Sequence, residues 1–157
     1  MARLSPVLAG ASAEITMDET SRIIYGREET LPVAEFRQVP DASGLGTIRP
    51  VEDDGRLAAM LAGANLIVTA RRDVPRHPLV GVARSITDFS WCCYLSELAV
   101  ARSAQGLGIG KGLLDETRRL LGPRVSLVLA SVPEAMGFYE HAGMVRIADA
   151  FWYRREA

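Results

Sequence analysis

At 157 residues the chain is the size of one domain by the usual guide of about 150 residues. It is 48% hydrophobic and 24% charged with a formal net charge of -1, which excludes a disordered or fibrous chain and leaves no global basic field for nucleic acid. No apolar run approaches the ~18 residues of a membrane span, and the start, Met-Ala-Arg-Leu-Ser-Pro, lacks the apolar core of a signal peptide. The neighbours Cys92 and Cys93 cannot build a disulfide framework. The expectation is a reducing, cytoplasmic setting, with no membrane and no nucleic-acid partner.

Charge is uneven along the chain. Residues 1–60 carry 10 acidic and 6 basic side chains, and residues 61–157 carry 9 and 12, so the C-terminal part is the better host for an anion. The first twenty residues are polar and aperiodic, and read as a loosely ordered extension of a single domain spanning 1–157.

Residues 23–25, Ile-Ile-Tyr, give a short first strand. Pro32 opens a helical pattern through Val33, Phe36 and Val39 that is expected to stop at Pro40. A clearer helix starts at Glu52-Asp53-Asp54, with Leu57, Met60, Leu61 and Ala64 on one side and an acidic first turn that complements the helix dipole. Residues 66–70 and 79–86 read as strands joined by a proline-bearing turn, hence a hairpin, and residues 91–100 as a third apolar strand. On simple alternation Glu97 shares a face with Leu95 and Ala99, where a carboxylate needs a partner or a cavity.

A glycine-rich segment follows, then a helix carrying Ile109, Leu113, Leu114, Leu120 and Leu121 and ending at Gly122-Pro123. Residues 125–130 are near-continuously apolar, as in a strand covered on both faces. Pro133 sits at a favourable first helical position, with Gly143 as the stop, and residues 145–153 read as a last strand. The order amounts to a mixed α/β layer.

The segment Gln105-Gly106-Leu107-Gly108-Ile109-Gly110-Lys111 lies between strand and helix, where free backbone N–H groups and the positive end of the helix dipole favour an anion. It fails the dinucleotide form Gly-x-Gly-x-x-Gly, whose sixth position is Lys111 or Leu113. It also fails the P-loop form, because Gly112 follows Lys111 and Gln105 stands where the first glycine belongs. Neither His77 nor any other residue shows metal-ligand spacing.

What the segment satisfies is Gln-x-x-Gly-x-Gly. With Leu95-Ser96-Glu97-Leu98-Ala99-Val100-Ala101 before it and Gly137-Phe138-Tyr139-Glu140-His141-Ala142-Gly143-Met144 after it, the chain resembles the GNAT superfamily of acetyl-CoA-dependent N-acetyltransferases. The stretch from Ser43-Gly44-Leu45 through Arg49-Pro50 to Asn65 is similar to a bacterial subgroup with no named acceptor. The resemblance implies a central, mixed, splayed β-sheet flanked by about four helices, acetyl-CoA as cosubstrate, an amine acceptor that is a small molecule or a protein, and a homodimer.

It also implies site residues. The N–H groups of Gln105, Gly106, Leu107, Gly108, Ile109, Gly110 and Lys111 would hold the pyrophosphate, and a splayed strand at Leu98, Ala99 and Val100 would pair with the pantetheine arm. Glu97 matches a carboxylate that takes a proton from the amine, with a paired structural carboxylate as the competing role. Tyr139 matches a proton donor to the departing thiolate, a sensible task for a phenol of pKa near 10. Val132 stands where many members have Asn, so that contact to the cofactor arm is lost or supplied by Ser131. Phe89, Trp91 and Tyr94 beside Asp88 would line an acceptor pocket or pack at its rim, and Phe151-Trp152-Tyr153 would cover the sheet or a subunit interface. A different class of function, a non-catalytic acyl-CoA-binding or sensor module, fits the same loop with Glu97 and Tyr139 as structural residues.

Overall fold

Three apolar runs become the centre of one sheet, each long enough to cross it: β2 (Leu66–Arg72), β3 (Leu79–Thr87) and β4 (Cys92–Val100). The computed structural model describes residues 22–43 and 50–156. The polar stretch 1–20, and residues 44–49 of the subgroup-like segment, lie outside the described residues. With β1 (Ile23–Glu28) and β5 (Ser126–Val128) the sheet has five strands in the order β1-β2-β3-β4-β5. The first four pair antiparallel and β4 pairs parallel with β5.

Four α-helices are found among the described residues: α1 (Val33–Ser43), α2 (Asp54–Ala62), α3 (Ile109–Leu121) and α4 (Met136–His141). This is the mixed α/β architecture expected. None of the described helices is long and apolar enough to cross a membrane.

The alternation of β2 explains the layering. Leu66, Val68 and Ala70 face a core shared with Ile109, Leu113, Leu114 and Leu121 of α3, while Ile67 faces a second core with Phe36 and Val39 of α1 and Leu57 and Leu61 of α2. Asp53 caps α2, its carboxylate accepting from Arg56 N at 2.9 Å. Arg71 donates to Glu28 at 2.7 Å and to Glu35, binding α1 to the sheet and holding the Glu28 carboxyl below its usual range.

Three expectations are corrected. The helix expected to stop at Pro40 runs through it to Ser43, because Phe36, Val39 and Pro40 are all buried and their packing offsets the missing backbone bond. The strand expected to be covered on both faces is instead a three-residue edge strand, with Ser126 and Val128 exposed. Residues 145–153 form no strand: they pair with nothing in the sheet, and Phe151 and Tyr153 are 97% and 105% exposed. They therefore do not cover the sheet.

Candidate active site

β4 and β5 meet over only three pairs, Cys92 with Ser126, Cys93 with Leu127 and Tyr94 with Val128. Beyond them the strands part. Leu95 and residues 97–100 keep their pairing with β3 on one side, where Ala83, Val82 and Gly81 face Leu98, Ala99 and Val100, but no strand among the described residues lies on the other. The splay places those three residues on an open edge whose backbone groups are available to an extended ligand.

The loop after β4 is drawn back onto the end of that edge. Gln105 Nε2 donates to the Val100 carbonyl at 3.0 Å, and Ala101 N donates to Val80 O at 2.9 Å. Gly106 and Gly108 adopt φ of 81° and 75°, and a Cβ at either would meet nothing within 4 Å, so glycine is required there by backbone conformation alone. Gly108 begins α3 with no side-chain cap. The first-turn N–H groups therefore stand uncapped by any side chain at the positive end of the helix, an arrangement that fits an anion such as a pyrophosphate. Ile109 turns its side chain into the core and Lys111 pairs with Asp115 at 2.6 Å, so both would serve the loop through their backbone.

Gly110 has a second task. A Cβ on it would lie 3.0 Å from Phe138 Cζ, so its absence lets α4 settle on the first turn of α3. The next residue, Tyr139, crosses the Phe138 ring edge to face with centroids 5.1 Å apart and packs against the α3-side core. It also lines a groove of about 650 Å³ bounded by Tyr94, residues 127–131, Met136 and the C-terminal segment. Ser131 lies in this groove and its hydroxyl donates to Val132 O at 2.8 Å.

Glu97 is buried, at 1% exposure. Its partner is Arg84 of β3, whose Nε bonds the carboxylate, whose Nη1 donates to Met60 O of α2 at 3.0 Å and whose Nη2 donates to Ser96 Oγ at 2.9 Å. The register explains the placement. Arg84 pairs with Glu97 and Ser85 with Leu95, so Ser96 is a β-bulge. The extra residue turns Leu95 into the α3-side core while Ala99 stays on the α1/α2 side with Glu97's partner. Glu97 thus shares a face with Ala99 and not with Leu95, a correction to simple alternation.

The aromatic trio near Asp88 is dispersed. Tyr94 lines the groove, Phe89 lies under the Arg27 guanidinium at 5.3 Å, and Trp91 is 78% exposed. Asp88 is a turn residue: its Oδ1 accepts from the N–H groups of Trp91, Ser90 and Cys92 at 2.7, 2.8 and 3.1 Å, which lowers its pKa to about 2. Sequence reasoning missed Arg84. A signal was present, since an arginine in the run Leu79-Val80-Gly81-Val82-Ala83-Arg84 and a glutamate in the facing apolar strand each need an opposite charge when buried.

A family model described as an acetyltransferase (GNAT) domain matches residues 44–153. The chain belongs to the GNAT acetyltransferase family. A putative acetyltransferase from Deinococcus radiodurans R1 shares its fold with a TM-score of 0.69 at 22% identity, over 88% of this chain and 91% of that one. A GNAT family protein from Streptococcus pneumoniae does so with a TM-score of 0.63 at 21% identity, over 86% and 100%. An uncharacterized N-acetyltransferase, ycf52, of Pyropia yezoensis is 24% identical over 144 residues, 87% of this chain and 80% of that protein. Membership in the GNAT family makes the chain an acyltransferase by kind.

Proposed function

We propose that the protein is a single GNAT domain that moves an acetyl group from acetyl-CoA to a primary amine of a small molecule or protein, by direct transfer in a ternary complex. The observation that carries this reading is the open β4 edge beyond Tyr94, with the uncapped start of α3 tied to one end of it through Gln105 and Val100. The loop N–H groups from Gln105 to Lys111 would hold the pyrophosphate, and Leu98, Ala99 and Val100 would hold the pantetheine arm and polarise the thioester carbonyl. Ser131 would supply the polar contact that Val132 cannot.

The amine nitrogen bonds to the carbonyl carbon as the carbon–sulfur bond breaks. Tyr139 gives its phenolic proton to the departing thiolate, and the amine's surplus proton passes to Glu97, directly or through water. The acidic excess of residues 1–60 supports a cationic amine as acceptor. The free thiols of Cys92 and Cys93 suit a cytoplasmic setting, and we place the protein there as a homodimer, to be checked by sedimentation velocity.

The Arg84 contact favours a second reading, a non-catalytic acyl-CoA-binding or sensor module in which Glu97 is structural. One titration series separates them. Calorimetry with acetyl-CoA, with ATP and NAD as controls, reads cofactor choice, and thiol release on adding pooled amines reads transfer. Binding with thiol release supports the enzyme, binding without it the sensor, and no binding of acetyl-CoA overturns both.

A further inference from the structure

Arg84 is 4% exposed, and of its three donating nitrogens two are committed to neighbouring residues of β4 and the third to α2. Nε holds the Glu97 carboxylate, Nη2 the hydroxyl of Ser96 in the bulge, and Nη1 the Met60 carbonyl near the end of α2. Residue 96 is the point at which β4 changes face, and residues 98–100 follow immediately on its open edge. A guanidinium is suited to this because its planar fork fixes three directions at once, whereas an ammonium fixes none.

We infer that Arg84 is a positioning residue: it clamps Glu97 and Ser96 to α2, and so sets the bulge that aims the Leu98–Val100 backbone at the thioester. The inference rests on the acetyl-transfer reading for its kinetic consequence, but its structural consequence stands apart from it. In this account the first duty of the Glu97 side chain is to accept from Arg84. A glutamine, which keeps an acceptor oxygen at the same reach, retains part of that duty, and an alanine retains none.

The test uses the full chain in five forms: wild type, Arg84→Lys, Glu97→Gln, Glu97→Ala and Ser96→Ala. Thermal unfolding selects the variants that remain folded, and Ser96→Ala, which removes one small hydroxyl and leaves the Arg84–Glu97 pair in place, guards against general collapse. Backbone amide NMR signals are compared without ligand, and steady-state kinetics are measured with acetyl-CoA and the best amine from the pooled screen. Clamping predicts that Arg84→Lys moves the amide signals of residues 96–100 while those of residues 106–110 stay in place. It predicts that kcat falls at least tenfold with the KM for acetyl-CoA within threefold. Glu97→Gln, which keeps an acceptor for Arg84, leaves the amide signals of residues 96–100 nearer wild type than Glu97→Ala does.

Unmoved signals at residues 96–100 in Arg84→Lys overturn the inference, as does a Glu97→Gln variant whose signals there move as far as those of Glu97→Ala. If the wild type releases no thiol with any amine, the acetyl-transfer reading fails on its own. The amide signals then still decide the clamp, for it if residues 96–100 alone move and against it if they do not.

Discussion

The ring of Phe138 rests on the backbone of Gly110, so closely that a Cβ on that glycine would stand 3.0 Å from Phe138 Cζ. This contact seats α4 on the first turn of α3, and with it the neighbouring Tyr139. Gly110→Ala is expected to push α4 outward and lower turnover at least tenfold, while the backbone N–H at position 110 remains to bind an anion. Acetyl-CoA affinity by calorimetry should therefore fall by less than turnover does. Equal losses in the two would show that Gly110 serves the cofactor alone.

Two residues further along α3, Gly112 faces a different neighbour. A Cβ there would fall on the ring and hydroxyl of Tyr25 in β1, a ring whose phenol burial pushes above its usual pKa. Overpacking of this kind costs about 1–3 kcal/mol. Gly112→Ala is expected to lower the unfolding free energy from urea titration by about 1–3 kcal/mol. The double variant Gly112→Ala with Tyr25→Leu should regain part of the loss, and a double variant no more stable than the single one would refute the contact.

Tyr139→Phe removes one oxygen from the groove and keeps the ring. Positioned acid catalysis is worth about 10² to 10⁴ in rate, so kcat should fall by at least about a hundredfold with acetyl-CoA affinity nearly unchanged. The phenylalanine keeps the edge-to-face contact with Phe138, which protects the fold. Equal turnover by both proteins would remove Tyr139 from the mechanism.

Asp88 offers a pH test of the β3–β4 turn. Three backbone N–H groups lower its pKa from 3.8 to about 2, so the folded protein holds this proton less tightly than the unfolded chain does. Its contribution to stability is present above pH ~4 and is lost as pH falls through about 2. Asp88→Asn, which cannot ionise, should show a flatter decline of melting temperature between pH 4 and 2 than wild type. Parallel declines would mean that the carboxylate does not cap the turn in solution.

The strands and helices with local signals were readable: acidic residues at the start of α2, the apolar runs of β2 and β3, and the glycines opening α3 all act within a few residues. The features that were not readable depend on partners distant in sequence. The bulge at Ser96 is a matter of how β3 and β4 pair, Arg84 with Glu97 and Ser85 with Leu95, and it reverses the face of Leu95. The edge character of β5 depends on residues 145–153, whose apolar composition suits a strand although they find no strand to join. The candidate site divides likewise: the loop follows from its glycines, whereas the Phe138–Gly110 contact and the Arg84 clamp are tertiary.

Gly108 is the sharpest probe of the loop, because space and backbone conformation separate there. Nothing lies within 4 Å of a Cβ at this position, and φ is 75°, so alanine meets no neighbour and suffers only the left-handed conformation, about 1–2 kcal/mol. Asparagine tolerates that region better than alanine. If the loop must hold its shape for the anion, acetyl-CoA affinity should fall in the order glycine, asparagine, alanine, with alanine weaker by about fivefold to thirtyfold on that energy. Competition by free pyrophosphate should follow the same order. An unchanged affinity in Gly108→Ala would place the pyrophosphate elsewhere than at the start of α3.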